Sequence, residues 1–194
     1  SCTLRAPPLP SPGTGRQVIN EDDARILSLE YRGAPQTVGV MRRAVLQSQL
    51  HFAVRKLAES FCEHLDSKDY ASEYLALYQC VLQRCRYMRD PRTVELVKAP
   101  YLVADEILRG GRPNLDCDDM SALIASLVLA VGGAARFVTV AFRNAFYNGQ
   151  RQYSHVFAQA QDPRTGLWIV LDPVAAEKTP KMMREIKASA VWPI

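Results

Sequence analysis

Apolar residues at Leu46, Leu50, Val54, Leu57, Phe61 and Leu65 step by 4, 4, 3, 4 and 4. That spacing predicts one stripe along one long helix. After a break at Asp66-Ser67, Tyr74, Leu77, Val81, Cys85 and Met88 step by 3, 4, 4 and 3, a second amphipathic helix. It is expected to stop at Asp90-Pro91, because a residue before proline disfavours the helical region. Arg109 to Pro113 holds two glycines and a proline and reads as a loop. A third helix starts near Asp118 and runs to Val131, closed by Gly132-Gly133. Leu123, Ile124, Ala125, Leu127, Val128 and Leu129 make it apolar nearly all round, so it belongs at the centre of the fold. The last third alternates as strands do: Arg136 to Arg143, Tyr153 to Ala160 and Leu167 to Asp172. Asn148-Gly149 marks a tight hairpin between the first two, and Asp162-Pro163-Arg164-Thr165 turns the chain into the third. Helices first and an antiparallel meander last is an α+β layout.

Composition narrows the class without naming a chemistry. A chain of 194 residues, 48% apolar and 23% charged, is an average globular domain with no need of a metal or disulfide staple. Its net charge of +4 is spread along the sequence and does not argue for nucleic acid. Residues 1–19 carry four prolines and two glycines and read as an extended arm, leaving 20–194 as a single domain. Such an arm is either a loose terminus or a strap along a neighbour in an assembly. The longest uncharged stretch, Met120 to Ala135, is 16 residues, shorter than the about 20 a membrane span needs. The N-terminus lacks the apolar run of a signal peptide, and Ser1 after a removed Met is its simpler account. Five scattered cysteines, Cys2, Cys62, Cys80, Cys85 and Cys117, suit reduced thiols in a cytoplasmic setting. Cys80 and Cys85, five apart on a helix, point about 140° away from each other, which favours buried thiols over a metal pair.

One of the five stands apart. Cys117 immediately precedes the first turn of the apolar helix, where unpaired N–H groups and the positive dipole end favour a thiolate. Asp116, Asp118 and Asp119 oppose it by charge, and Asp118 or Asp119 is a candidate helix cap. A four-residue turn at Asp162 to Thr165 sets His155 directly opposite Asp172, Phe157 opposite Val170 and Gln159 opposite Trp168. Around Asn148-Gly149 the same reasoning sets Phe142 beside His155. A turn one residue longer would send His155 and Asp172 to opposite faces. The set Cys117, His155, Asp172 thus supplies a nucleophile at a helix N-terminus, a base on one strand and an orienting carboxylate on the next. The plainer alternative is a structural histidine and a strand end at Asp172-Pro173. Position, order and register together favour the catalytic reading.

Asp116-Cys117-Asp118-Asp119 leading into the apolar helix, followed by Gly132-Gly133-Ala134-Ala135-Arg136-Phe137-Val138, resembles the nucleophile block of the transglutaminase-like superfamily. Ser154-His155-Val156-Phe157 resembles its histidine block, and Trp168 to Pro173 its aspartate block. Tyr87 to Pro91, Glu95 and Pro100 look like the segment before the nucleophile in small bacterial and phage members. The likeness covers about residues 36–174. It implies a papain-like α+β fold, N-terminal helices and a buried nucleophile helix packed on a C-terminal antiparallel sheet. It also implies acyl transfer through a thioester, with Cys117 as nucleophile, His155 as general base and acid, and Asp172 as orienter. The Cys117 N–H would form part of an oxyanion hole, with Asn114 a candidate for the second donor. A cysteine hydrolase, peptidase or amidase, acting on a peptide or amide without cofactor or calcium is the expected activity. The alternative is a non-catalytic structural or adaptor piece of a phage virion or similar assembly, with the arm holding its partner.

Overall fold

In the computed structural model, which describes residues 26–29, 34–89, 95–147, 149–174 and 185–194, helices dominate the first two thirds and an antiparallel sheet the last. The order is β1 (Ile26–Leu29), α1 (Ala34–Ser48), α2 (Phe52–Cys62), α3 (Tyr70–Arg84), β2 (Arg86–Tyr87), β3 (Glu95–Lys98) and α4 (Pro100–Leu108). There follow β4 (Asn114–Leu115), α5 (Cys117–Ala130), β5 (Ala134–Ala141), β6 (Phe146–Tyr147), β7 (Gln150–Arg151), β8 (His155–Gln161), β9 (Trp168–Leu171) and β10 (Ala188–Pro193). The fold is α+β, as the helical and alternating patterns predict. The Pro-rich segment 1–19 lies outside the described residues.

Two helical expectations are corrected. The stripe from Leu46 to Leu65 is not one helix but two, because the chain turns at 49–51. There His51 caps α2, its Nδ1 accepting the Ala53 N–H at 3.2 Å. The turn takes Leu46 and Leu50 out of the stripe, and they are 47% and 77% exposed. The buried faces are instead Val38, Met41, Val45 on α1 and Val54, Leu57, Ala58 on α2. Nor does α3 reach Asp90. It ends at Arg84, because strand pairing claims the next residues: the Arg86 N–H donates to the Pro113 carbonyl and the Met88 N–H to that of Leu115. Met88 is therefore exposed.

The apolar helix α5 is the centre of the molecule. Leu123, Ile124, Leu127 and Val128 have no exposed surface. Its end is a Schellman turn: Gly132, at φ +83°, and Gly133 donate to the carbonyls of Leu129 and Val128 at 3.0 and 2.9 Å. A side chain at Gly133 would strike Tyr74, whose hydroxyl lies 2.6 Å from where a Cβ would sit. Glycine at 133 thus lets α3 pack close to the turn that leads into the sheet.

The main sheet has the order β10-β5-β8-β9. Val156, Ala158 and Ala160 of β8 join the core around α5, while Phe157 packs with Val138 and Val140 in a smaller cluster. Both hairpin registers differ from the simplest expectation, each by two residues. Tyr147 pairs with Gln150 as expected, but Val140 rather than Phe142 faces His155. Two extra residues sit on the outgoing arm between Ala141 and Phe146. The β8–β9 turn runs from Asp162 to Leu167, with Gly166 at φ +72° and the Asp162 carboxylate accepting from the Arg164 N–H and the Thr165 hydroxyl. Gln161 therefore faces Trp168, Gln159 faces Val170, and His155 is not directly opposite Asp172. A slip of two preserves the faces of a strand, and a slip of one would not.

Candidate active site

The first residue of β8 and the first residue after β9 meet at one end of the sheet. His155 Nε2 stands 2.9 Å from each carboxylate oxygen of Asp172, and both side chains are buried. The contact is diagonal across two strands, since the register places Asp172 level with Phe157. Asp172 is fixed from two further directions. The Val174 N–H donates to its Oδ1 at 3.0 Å, and the Tyr78 hydroxyl donates to its carbonyl at 2.7 Å. Burial, and secondly the Asp172 charge, push the Tyr78 phenol above its ordinary pKa, so it remains a donor. Phe142 and Phe157 flank the imidazole, with ring centroids 6.5 and 6.0 Å away. With Nε2 committed to the carboxylate, Nδ1 is the nitrogen left for proton exchange.

Cys117 is the first residue of α5 and is half-buried. The helix begins one residue earlier than the apolar pattern suggests, so the cap is neither Asp118 nor Asp119. Asp116 takes that place, its carboxylate accepting the Asp119 N–H at 3.2 Å. Asp119 instead accepts the Lys98 backbone N–H at 2.7 Å and lies 3.5 Å from the Lys98 ammonium. Asp116 is thus compensated by the helix N–H it caps, and Asp119 by Lys98, with the helix dipole favouring both. Ser121 ties this turn to the sheet. Its hydroxyl oxygen lies 2.6 Å from the Cys117 carbonyl and 3.2 Å from that of Val156, the neighbour of His155. The helix that Cys117 opens and the strand that His155 opens are therefore linked through one side chain. Asn114, on β4, is exposed, and its carbonyl accepts from the Lys98 ammonium.

The other described cysteines sit in different surroundings. Burial pushes Cys62 up to about 11, and Cys80 and Cys85 each up to about 12. They are protonated at neutral pH, and Cys80 and Cys85 are also inaccessible. Cys2 lies outside the described residues. Tyr87 and Arg89, both exposed, lie in electrostatic reach of Cys117, and sequence reasoning gave them no role of their own. Tyr78 and Ser121 carried no signal, since their partners lie 94 and 35 residues away.

The sequence matches the family model of the transglutaminase-like superfamily over residues 55–173, more than half of the chain. No curated protein matches it. Among solved structures it is similar to a candidate cysteine protease from Cytophaga hutchinsonii, at 16% identity and a TM-score of 0.47, over 87% of this chain and 58% of that one. A candidate protease from Parabacteroides distasonis is similar over 68% of this chain and 25% of that one, at 9% identity and a TM-score of 0.45. The chain thus spans a quarter and 58% of the lengths of these two structures.

Proposed function

The chain belongs to the transglutaminase-like superfamily, and from that premise we propose that it is a cysteine hydrolase, a peptidase or amidase working by thioester acyl transfer. The observation that carries this reading is the buried His155–Asp172 pair, 2.9 Å at both oxygens, on the strand tied through Ser121 to the turn bearing Cys117. A buried polar pair costs desolvation and needs a reason.

In this mechanism His155 Nδ1 takes the Cys117 proton, and Asp172 holds the imidazole and stabilises its charged form. The thiolate attacks the amide carbonyl, and a C–S bond forms as the π electrons move to oxygen. The Cys117 backbone N–H, at the open end of α5, donates to that oxyanion. As the carbonyl re-forms, the C–N bond breaks and His155 gives its proton to the departing amine. Water then attacks the thioester carbonyl, His155 taking one of its protons; as the C–S bond breaks, His155 returns that proton to the sulfur and the acid leaves.

The test is intact-mass analysis of the chain after treatment with an epoxide-bearing peptide probe. One adduct on the wild type, none on Cys117→Ala and a much slower one on His155→Ala are expected. A Cys117 that reacts no faster than a peptide thiol, and is indifferent to His155→Ala, would favour the non-catalytic adaptor role instead.

A further inference from the structure

The parallel pair β2–β4 runs on toward the nucleophile. Arg86 lies opposite Asn114 and Tyr87 opposite Leu115, and the Met88 N–H donates to the Leu115 carbonyl at 2.8 Å. The ladder ends there, so Arg89 follows directly on the bonded Met88 and Cys117 opens α5 two residues after Leu115, which brings the two chain segments side by side. On an extended chain, residues two apart share a side. Here the Tyr87 phenol and the Arg89 guanidinium act on each other, with Cys117 in electrostatic reach of both. Arg89 is exposed, and no carboxylate among the described residues is paired with it.

A guanidinium has five donors in a planar fork, and one phenol cannot engage them all. The remaining N–H groups suit two oxygens in one plane, the geometry of a carboxylate. The surroundings sharpen the point. Asp116 at the cap and Asp118 and Asp119 in the first turn of α5 would repel an anionic substrate unless a cation met it. We infer that Arg89, held in place by Tyr87, is a specificity-determining residue that recognises a carboxylate beside the carbonyl attacked by Cys117. This rests on the acyl-transfer reading above and adds its substrate class: acidic peptides, or peptides ending in a free carboxylate.

Iodoacetate and iodoacetamide test this without turnover, because they differ by a carboxylate against a neutral amide. The ratio of their rates at Cys117 in the full chain should exceed that of a cysteinyl peptide amide by about two- to fivefold, the scale of an exposed ion pair. It should fall as salt rises. Arg89→Gln should bring the ratio to or below the reference, Arg89→Lys should keep part of it, and Tyr87→Phe should give an intermediate value. Protection of Cys117 from iodoacetamide by a glutamyl peptide amide assigns the carboxylate to an acidic side chain. Protection by a neutral peptide with a free C-terminus assigns it to the chain end. Protection by neither, or a wild-type ratio no higher than the reference while Cys117 still outpaces it with iodoacetamide, overturns carboxylate recognition and leaves the hydrolase standing. A Cys117 slow with both reagents removes the acyl-transfer reading and this inference together.

Discussion

At the scale of single residues, the site turns on which imidazole nitrogen faces which partner. Asp172 takes Nε2 with both oxygens, and a carboxylate there can only accept, so Nε2 carries a proton. Asp172→Asn nearly preserves the shape but presents an amide that can donate, which permits the opposite tautomer. We expect it to lower the proposed hydrolysis by about 10²–10⁴-fold, the usual weight of a positioned acid–base group, and alkylation of Cys117 at pH 7 by at most about 30-fold, since an ordinary thiol is already about 3% thiolate there. The urea midpoint should change far less than the rate. Single-turnover kinetics beside an unfolding curve measures both, and an unchanged rate would remove Asp172 from the mechanism. The contact between His155 and Asp172 was legible in sequence for a reason that is partly fortunate. The assumed turn was two residues too short, and only an even error keeps two residues on one face. Arg89 was not legible, because its placement depends on a two-residue parallel pairing that no periodicity announces.

Among elements, α5 was the clearest in the sequence and α1–α2 the most deceptive, and the difference is physical. A helix buried on every side needs apolar residues at every position, so its bounds follow from composition; the boundary error was one residue. The Leu46–Leu65 stripe kept helical spacing through a corner, because Leu50 continues the count while the backbone turns and His51 caps a new helix. Spacing does not record such a turn. Leu127→Ala, at the fully buried centre of α5, should cost about 2–5 kcal/mol by transfer and cavity terms, read from chemical denaturation. The turn after α5 gives a contrasting pair. Gly133→Ala drives a methyl to within 3 Å of the Tyr74 ring and the Val128 side chain, and should cost about 1–3 kcal/mol as overpacking does. Tyr74→Phe should cost almost nothing or stabilise, since the buried Tyr74 hydroxyl has no hydrogen-bond partner among the described residues. A large loss on Tyr74→Phe would mean that this hydroxyl is in fact satisfied.

For the whole molecule, the layering of helices on an antiparallel sheet was readable, because an amphipathic period and an alternating one occupy different parts of the chain. What the sequence hid was closure: β10 joins the free edge of β5, with the Trp192 indole N–H donating to Thr139 at 2.9 Å, across 53 residues. The assembled core has a titration consequence that no single element carries. Cys80 and Cys85 are buried with thiol pKa values near 12, well above that of a thiol in an unfolded chain, and Cys62 stands near 11. Burial likewise raises Tyr74 and Tyr78. Between about pH 9 and 12 the folded chain therefore holds protons that the unfolded chain releases. Stability supplied by these neutral buried groups is fully present below the unfolded thiol value and is lost as pH climbs toward the folded one. Each thiol contributes a slope of up to about 1.4 kcal/mol per pH unit within that window. Under reducing conditions the urea midpoint should fall steeply above about pH 9. The Cys80→Ala, Cys85→Ala double variant starts lower at pH 7, from lost packing, but should descend less steeply, leaving the tyrosines and Cys62 to supply the remaining slope. Parallel curves for wild type and double variant between pH 8.5 and 10.5 would show that the core thiols are not the groups that titrate.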